Sequence, residues 1–372
     1  MVGLKRPKPT NLGTKRQFLH YLIVAREINL KIQMCMQKLG RSTSIITENY
    51  WSDQGFLRTS LHSVSTFCES TAKPVEIDYP FLSQEDNFDK DTTLSIYGSC
   101  NGLILMKVES HIFDMRRHAG EDLVLWNPST KESKKLSEPV VTDSFWRYGK
   151  SQNNGLGLGY TSIIDDFKII RIDVFYDYPI CHGCEVNIYT LRSNSWKELP
   201  NIFPYDVCLS RPYRTKPALV NGYLHWVGTP VDGQGIRTDS KVILSFNLGN
   251  DVCSEVPVTQ LLRKPLFQNR KEDSTAGSPS DDFLLGSLDG CLCILSGYNR
   301  RTTYFRSIKN IELWVMKEYG VMQSCTKLST FTRDSIQRST IMLSQMEAID
   351  FVDGKVLFMG GAGDRVYISI LI

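Results

Sequence analysis

The chain has no long apolar run. The longest near its N-terminus, Phe18 to Ala25, is broken by His20 and falls far short of the roughly 20 residues a membrane-spanning helix needs. Lys15 and Arg16 precede it, as in a secretory leader, but Arg26 and Glu27 follow where a cleavage site carries small residues. Neither an anchor nor a leader is expected. Histidine is scarce, six in 372 residues, and none stands at zinc-finger spacing from a cysteine pair. A usable Asn-x-Ser/Thr sequon is also missing, because Pro128 follows Asn127. The ten scattered cysteines therefore read as free, mostly buried thiols in a reducing compartment, the cytoplasm or nucleus.

Catalytic signatures are absent too. There is no Gly-x-Ser-x-Gly elbow and no His-Glu-x-x-His helix. Gly155-Leu156-Gly157-Leu158-Gly159 has the look of a nucleotide loop, but it runs into an Asp165-Asp166 turn and more strand. No helix N-terminus follows that could hold a phosphate. Cys181-His182-Gly183-Cys184 is a lone pair without the second pair a structural zinc needs, and reads as a surface loop. His225, between Leu224 and Trp226, reads as a satisfied core histidine. No enzyme, no cofactor and no metal site is expected.

Charge is nearly balanced overall, at +3, but unevenly placed. Residues 1–41 carry nine Lys and Arg against Glu27 alone, a net +8, which leaves −5 for residues 42–372. A basic head can touch nucleic acid or a membrane; the reading preferred here is a solvated helix face with neither partner. From Gln17 to Leu39 there is no Gly or Pro, and Leu22, Ala25, Ile28, Ile32 and Leu39 form an apolar stripe at helical spacing. Gly40 supplies a stop. One amphipathic helix is predicted there.

From about Leu57 the period becomes that of strands. Asn or Asp precedes glycine at Gly102, Gly155, Gly222, Gly290 and Gly354, and an apolar run follows each pair. Such pairs suit type I′ turns, which need positive φ at both central residues. The runs are apolar at successive positions, as in strands buried on both faces. A second phrase recurs between them: Leu125-Trp126-Asn127-Pro128, Ile188-Tyr189-Thr190, Leu244-Ser245-Phe246-Asn247 and Leu313-Trp314-Val315-Met316. Several strands per repeat point to a kelch-like β-propeller of five to six blades. The last copy, Val366–Ile370, stops without its partner strand, so incomplete closure is expected. Three regions follow: a basic segment over 1–42, a connecting region over 43–94 with one or two strands, and the propeller over 95–372. For binding, the Pro-bounded stretch from Phe203 to Arg214 crowds Tyr205, Arg211, Tyr213 and Arg214 together, residue types favoured at interface hot spots. Tyr176, Tyr178 and the polar insert 263–282 are further candidates.

Several wordings resemble the plant F-box-associated interaction domain. They are Gly98-Ser99-Cys100-Asn101-Gly102-Leu103-Ile104, Leu125-Trp126-Asn127-Pro128-Ser129-Thr130, Gly157-Leu158-Gly159-Tyr160, Val220-Asn221-Gly222-Tyr223-Leu224-His225-Trp226 and Leu313-Trp314-Val315-Met316-Lys317-Glu318-Tyr319-Gly320-Val321. The resemblance implies a substrate-recognition subunit of a cullin-based (SCF-type) ubiquitin ligase, with the β domain holding a target protein. It also implies a SKP1-like adaptor bound by an N-terminal F-box opening on Leu-Pro-x-Asp/Glu. Residues 1–50 carry no such pattern. The helix stripe Leu22, Ile28, Ile32 and Leu39 is the candidate adaptor-facing surface in its place. Cys325 stands where the family usually has Trp. The alternatives are a stand-alone propeller that binds a protein or glycan without ligase coupling, and a truncated F-box gene product.

Overall fold

A computed structural model describes the backbone of residues 31–35, 43–51, 57–65, 75–77, 91–111, 118–137, 139, 153–177, 180–200, 203–207, 217–238, 241–257, 282–299, 308–332, 347–352, 355–362 and 365–371. Side chains are described over 94–109, 122–137, 139, 155–177, 180–200, 203–207, 217–238, 241–257, 285–295 and 312–330. Within these residues the chain is almost wholly strand, with one 3-10 turn at Met322–Ser324.

The strands form successive antiparallel meanders. The first sheet holds β1 (Lys31–Cys35), β2 (Thr43–Trp51), β3 (Leu57–Ser65) and β4 (Val75–Ile77), followed by β5 (Asp91–Cys100), β6 (Leu103–His111), β7 (His118–Asn127) and β8 (Glu132–Lys135). Its two halves join only where Arg58 pairs in parallel with Thr92, so it reads as two blades. The third unit is β9 (Asn153–Thr161), β10 (Asp166–Asp177), β11 (Ile180–Thr190) and β12 (Ser195–Glu198). The fourth is β13 (Tyr205–Asp206), β14 (Ala218–Val220), β15 (Tyr223–Pro230), β16 (Val242–Asn247) and β17 (Val252–Val256). The fifth is β18 (Asp282–Leu288), β19 (Cys291–Asn299), β20 (Ile308–Met316) and β21 (Cys325–Thr332). The sixth has three strands, β22 (Glu347–Val352), β23 (Lys355–Ala362) and β24 (Arg365–Leu371). Neighbouring units pack on one another in sequence: β5 on β9, β9 on β15, β14 and β15 on β18, and β18 on β22. This is the propeller arrangement.

The unbroken apolar runs are explained by burial on both faces. On β6 and β7, Ile104, Met106, Val108, Val124 and Trp126 fill a core on one face. Leu105, Leu123 and Leu125 turn the other way and meet Leu156, Leu158 and Ile169 of the third unit. On β15, Leu224 and Trp226 join Ile170, Ile172 and Val174 of the third unit, while Val227 faces Leu292 and Ile294 of the fifth.

Three of the Asn/Asp-Gly pairs make the expected turns: Asn101, Gly102, Asn221, Gly222, Asp289 and Gly290 all have positive φ. Gly354 lies outside the described residues. Asn154-Gly155 is not a turn, because both residues lie inside β9, and the hairpin closes instead at residues 162–165. The glycines of β9 serve close packing. A Cβ on Gly157 would lie 2.8 Å from Pro217 Cγ and 3.0 Å from Trp226 Cζ2. The loop resembling a nucleotide cradle is thus the seat of the next blade's indole.

Two further expectations are corrected. Lys31–Cys35, inside the predicted helix and including Ile32, is a strand paired with β2 from Lys31↔Thr47 to Cys35↔Thr43. Over those five residues Ile32 and Met34 alternate with Lys31 and Gln33. The segment therefore satisfies period two as well as the helical stripe, and a neighbouring strand decides. Leu22, Ile28 and Leu39 lie outside the described residues. Cys181 and Cys184 are no surface loop either: both sit on β11 in the core between the third and fourth units.

Candidate interaction surface

The two ends of the strands differ. One end is closed by short turns at 101–102, 128–131, 162–165, 191–194, 221–222, 248–251 and 289–290. The other end carries the longer connections between units, and the stretch from Phe203 belongs to it. Tyr205 and Asp206 form β13 against Pro230 and Thr229, at the end of β15 away from the Asn221-Gly222 turn. Arg211, Tyr213, Arg214 and Tyr178 lie outside the described residues.

Tyr205 is half-buried against the core of the seam, and its hydroxyl donates to Glu255 Oε1 at 2.7 Å. Burial, and then that hydrogen bond to a carboxylate, push its pKa up to about 12. Its ring braces two strands and leaves only part of its surface for a partner. Tyr176, at the end of β10, donates its hydroxyl to Asp206 Oδ1. Asp206 is 2% exposed, and burial of a carboxylate demands a charged partner. Arg237 supplies it, with Nε 3.0 Å from Asp206 Oδ2 and its guanidinium 5.1 Å from the centre of the Tyr176 ring.

Arg237 is aimed by a rigid hairpin that composition alone does not reveal. Val231 pairs with Arg237 across it, and Asp232 Oδ1 accepts from the amides of Gln234 and Ile236 at 2.9 and 2.8 Å. The hairpin leans on the third unit, where the Cys181 amide donates to Gly235 O at 2.9 Å. A Cβ on Gly235 would lie 2.3 Å from Ile180 Cγ2, so only glycine fits. Ile180 and Ile236 are left partly in solvent beside the clamp. The surface is a small apolar centre rimmed by Arg237, Tyr176 and Tyr205, straddling two blades, a composition that suits protein contact. Ile180, Asp206, Ile236 and Arg237 were not singled out by sequence; the Asp232-Gly233-Gln234-Gly235 turn signal was the available clue.

Further buried polar groups lie in the seams. Between the second and third units, Lys107 pairs with Glu109 at 3.0 Å and Arg171 with Asp173 at 2.9 Å. Burial raises the Asp173 carboxyl above its ordinary range, against the pull of Arg171. Between the fourth and fifth, His225 is fully buried. Its Nδ1 lies 3.0 Å from Ala218 O and its Nε2 2.7 Å from the Tyr319 hydroxyl. A carbonyl can only accept, so Nδ1 carries the proton and Tyr319 donates to Nε2. Burial lowers the His225 pKa to about 4. Among the described residues no group of three His, Cys, Asp or Glu is placed to hold a metal ion. No described helix is long and apolar enough to cross a membrane.

Six units of antiparallel strands among the described residues, packed on one another in chain order, define a β-propeller. The family model of the F-box associated beta propeller domain matches residues 56–362, and the chain belongs to that family. It is 26% identical over 299 residues to the F-box protein CPR1 of Arabidopsis thaliana, covering 76% of this chain and 61% of that protein. It is 24% identical over 287 residues to the F-box/kelch-repeat protein At3g23880 of the same plant, covering 77% and 66%. The chain thus spans 61% and 66% of the length of these relatives. Among solved structures it is similar to the Penicillium chrysogenum alpha-L-arabinanase, with a TM-score of 0.46, 11% identity and coverage of 94% and 95%. It is also similar to the beta-propeller domain of the Trilobed protease from Pyrococcus furiosus, with a TM-score of 0.36, 11% identity and coverage of 92% and 82%. Likeness at that level carries no chemistry across.

Proposed function

We propose that this chain is a non-catalytic recognition subunit of an SCF-type ubiquitin ligase, presenting a target protein for ubiquitylation. Membership of the F-box associated propeller family, with F-box proteins as its curated relatives, is the observation that carries the reading. The target docks on the long-connection end, over Ile180, Ile236 and Arg237. Arg237 is held by Asp206 and Tyr176, and the backbone of Ile236 by Asp232, so little order has to be gained on binding. Coupling to the ligase runs through a SKP1-like adaptor and a cullin, in the cytoplasm or nucleus.

Purified full-length chain, mixed with a purified plant SKP1-like adaptor and followed by interferometry, tests the coupling. Saturable binding supports the ligase reading. No binding, with the chain folded by circular dichroism, refutes it and leaves a stand-alone binding propeller.

A further inference from the structure

The short-turn end carries a feature that its own repeats mark as out of place. Among the described residues, three of the four turns that join a first to a second strand are the polar pairs Asn101-Gly102, Asn221-Gly222 and Asp289-Gly290. The fourth, between β9 and β10, is Ser162-Ile163-Ile164-Asp165. It puts Ile163 73% and Ile164 41% into solvent. Val252 of the neighbouring unit, 51% exposed, follows the turn that Ile163 overhangs. Only the tip of Ile163 packs over Gly249, and the greater part of its aliphatic surface gains nothing for folding while it faces water.

The turn is nevertheless held firmly. Arg192 donates to Ile164 O at 3.2 Å and to Asp165 O at 2.7 Å, and its own amide donates to Asp166 Oδ2 at 2.9 Å. Tyr160 donates to Asp165 Oδ1 at 2.5 Å. A fixed backbone that presents bare isoleucine resembles the centre of an interface rather than a tolerated surface residue.

The charges around it say what it meets. Arg192 and Asp165, 66% and 77% exposed, stand 3.5 Å apart beside Ile163, so the rim carries both signs and no net charge. A partner of one dominant sign gains nothing there, whereas a face with both signs about an apolar centre complements itself under a two-fold rotation. We propose that the Ile163–Ile164 turn is the centre of a symmetric interface between two copies of this chain, with Arg192 of each copy answering Asp165 of the other. The long-connection end stays open in that dimer, which would display two target sites.

Sedimentation velocity of the full chain over a wide concentration range is expected to show a reversible dimer. Ile163→Asp should weaken it by at least about thirty-fold with an unchanged circular dichroism spectrum. Ile236→Asp, at the opposite end, should leave it intact. A chain monomeric at every concentration, or a dimer indifferent to Ile163→Asp, overturns the proposal. Adaptor binding is read separately and does not depend on this face.

Discussion

The indole of Trp226 lies where a side chain on Gly157 would have to go: a Cβ there would stand 3.0 Å from Trp226 Cζ2. On the opposite face of the same strand, Leu156 and Leu158 enter the core shared with the second unit. β9 is therefore a spacer with one bare and one bulky face, and it fixes how closely two blades approach.

Gly157→Ala should destabilise the chain by about 1–3 kcal/mol, because the nearest obstacles include a proline ring and an indole that cannot swing away. Gly159→Ala meets Leu248 Cδ1 at 2.3 Å, the far end of a flexible side chain, and should cost less. Urea denaturation of the two variants ranks them; equal losses would contradict the spacer role.

His225 makes stability fall in mild acid. Its folded pKa is about 4, against about 6.5 in an unfolded chain. The unfolded state therefore binds the extra proton first, and stability present above about pH 6.5 is lost as pH drops toward 4, by on the order of 3 kcal/mol. His225→Gln should flatten that part of the pH profile of the denaturation midpoint. Tyr319→Phe, which strips Nε2 of its donor, should cost about 1–3 kcal/mol at neutral pH.

Lys168 is buried, with Nζ 2.6 Å from Asp251 Oδ1 and 2.8 Å from Leu248 O. Asp251 has a positive φ of 60°, which asparagine also tolerates, so Asp251→Asn removes the charge without breaking the turn. Leaving the ammonium buried with only neutral partners should cost about 3 kcal/mol. Lys168→Met in the same chain should recover most of it; thermal melts of the single and double variants read this directly.

Ile236 lies next to the tip of a hairpin held by Asp232 and, through Arg237, by Asp206, and its own side chain is 46% exposed. Ile236→Asp should leave the melting temperature within about 2 °C and weaken capture of a validated target at least about tenfold. Unchanged capture would move the target site elsewhere on the propeller.

Much of the fold was legible because its signals are local. Asn221-Gly222 announces its turn through φ tolerance alone, and Leu103–Met106 announces burial on both faces through composition. Asn154-Gly155 carries the same wording and misleads, since its glycine leaves room for Ile172 and for Trp226, the latter about seventy residues away in the chain. Lys31–Cys35 fits helix and strand periods equally, and only pairing with β2 separates them. Of the candidate site, Tyr205 was visible as a residue type in a Pro-bounded stretch. Arg237 was not, because its role depends on Asp206 and Tyr176 meeting it from other strands.

The repeat, three of its Asn/Asp-Gly turns and its family are written in the residues in order, since each depends on neighbours within a few positions. Which glycines make room, how strongly burial disfavours the charged form of His225 and where Arg237 is clamped emerge only once the blades meet. Those follow from burial and from contacts between blades, and distance along the chain does not encode them.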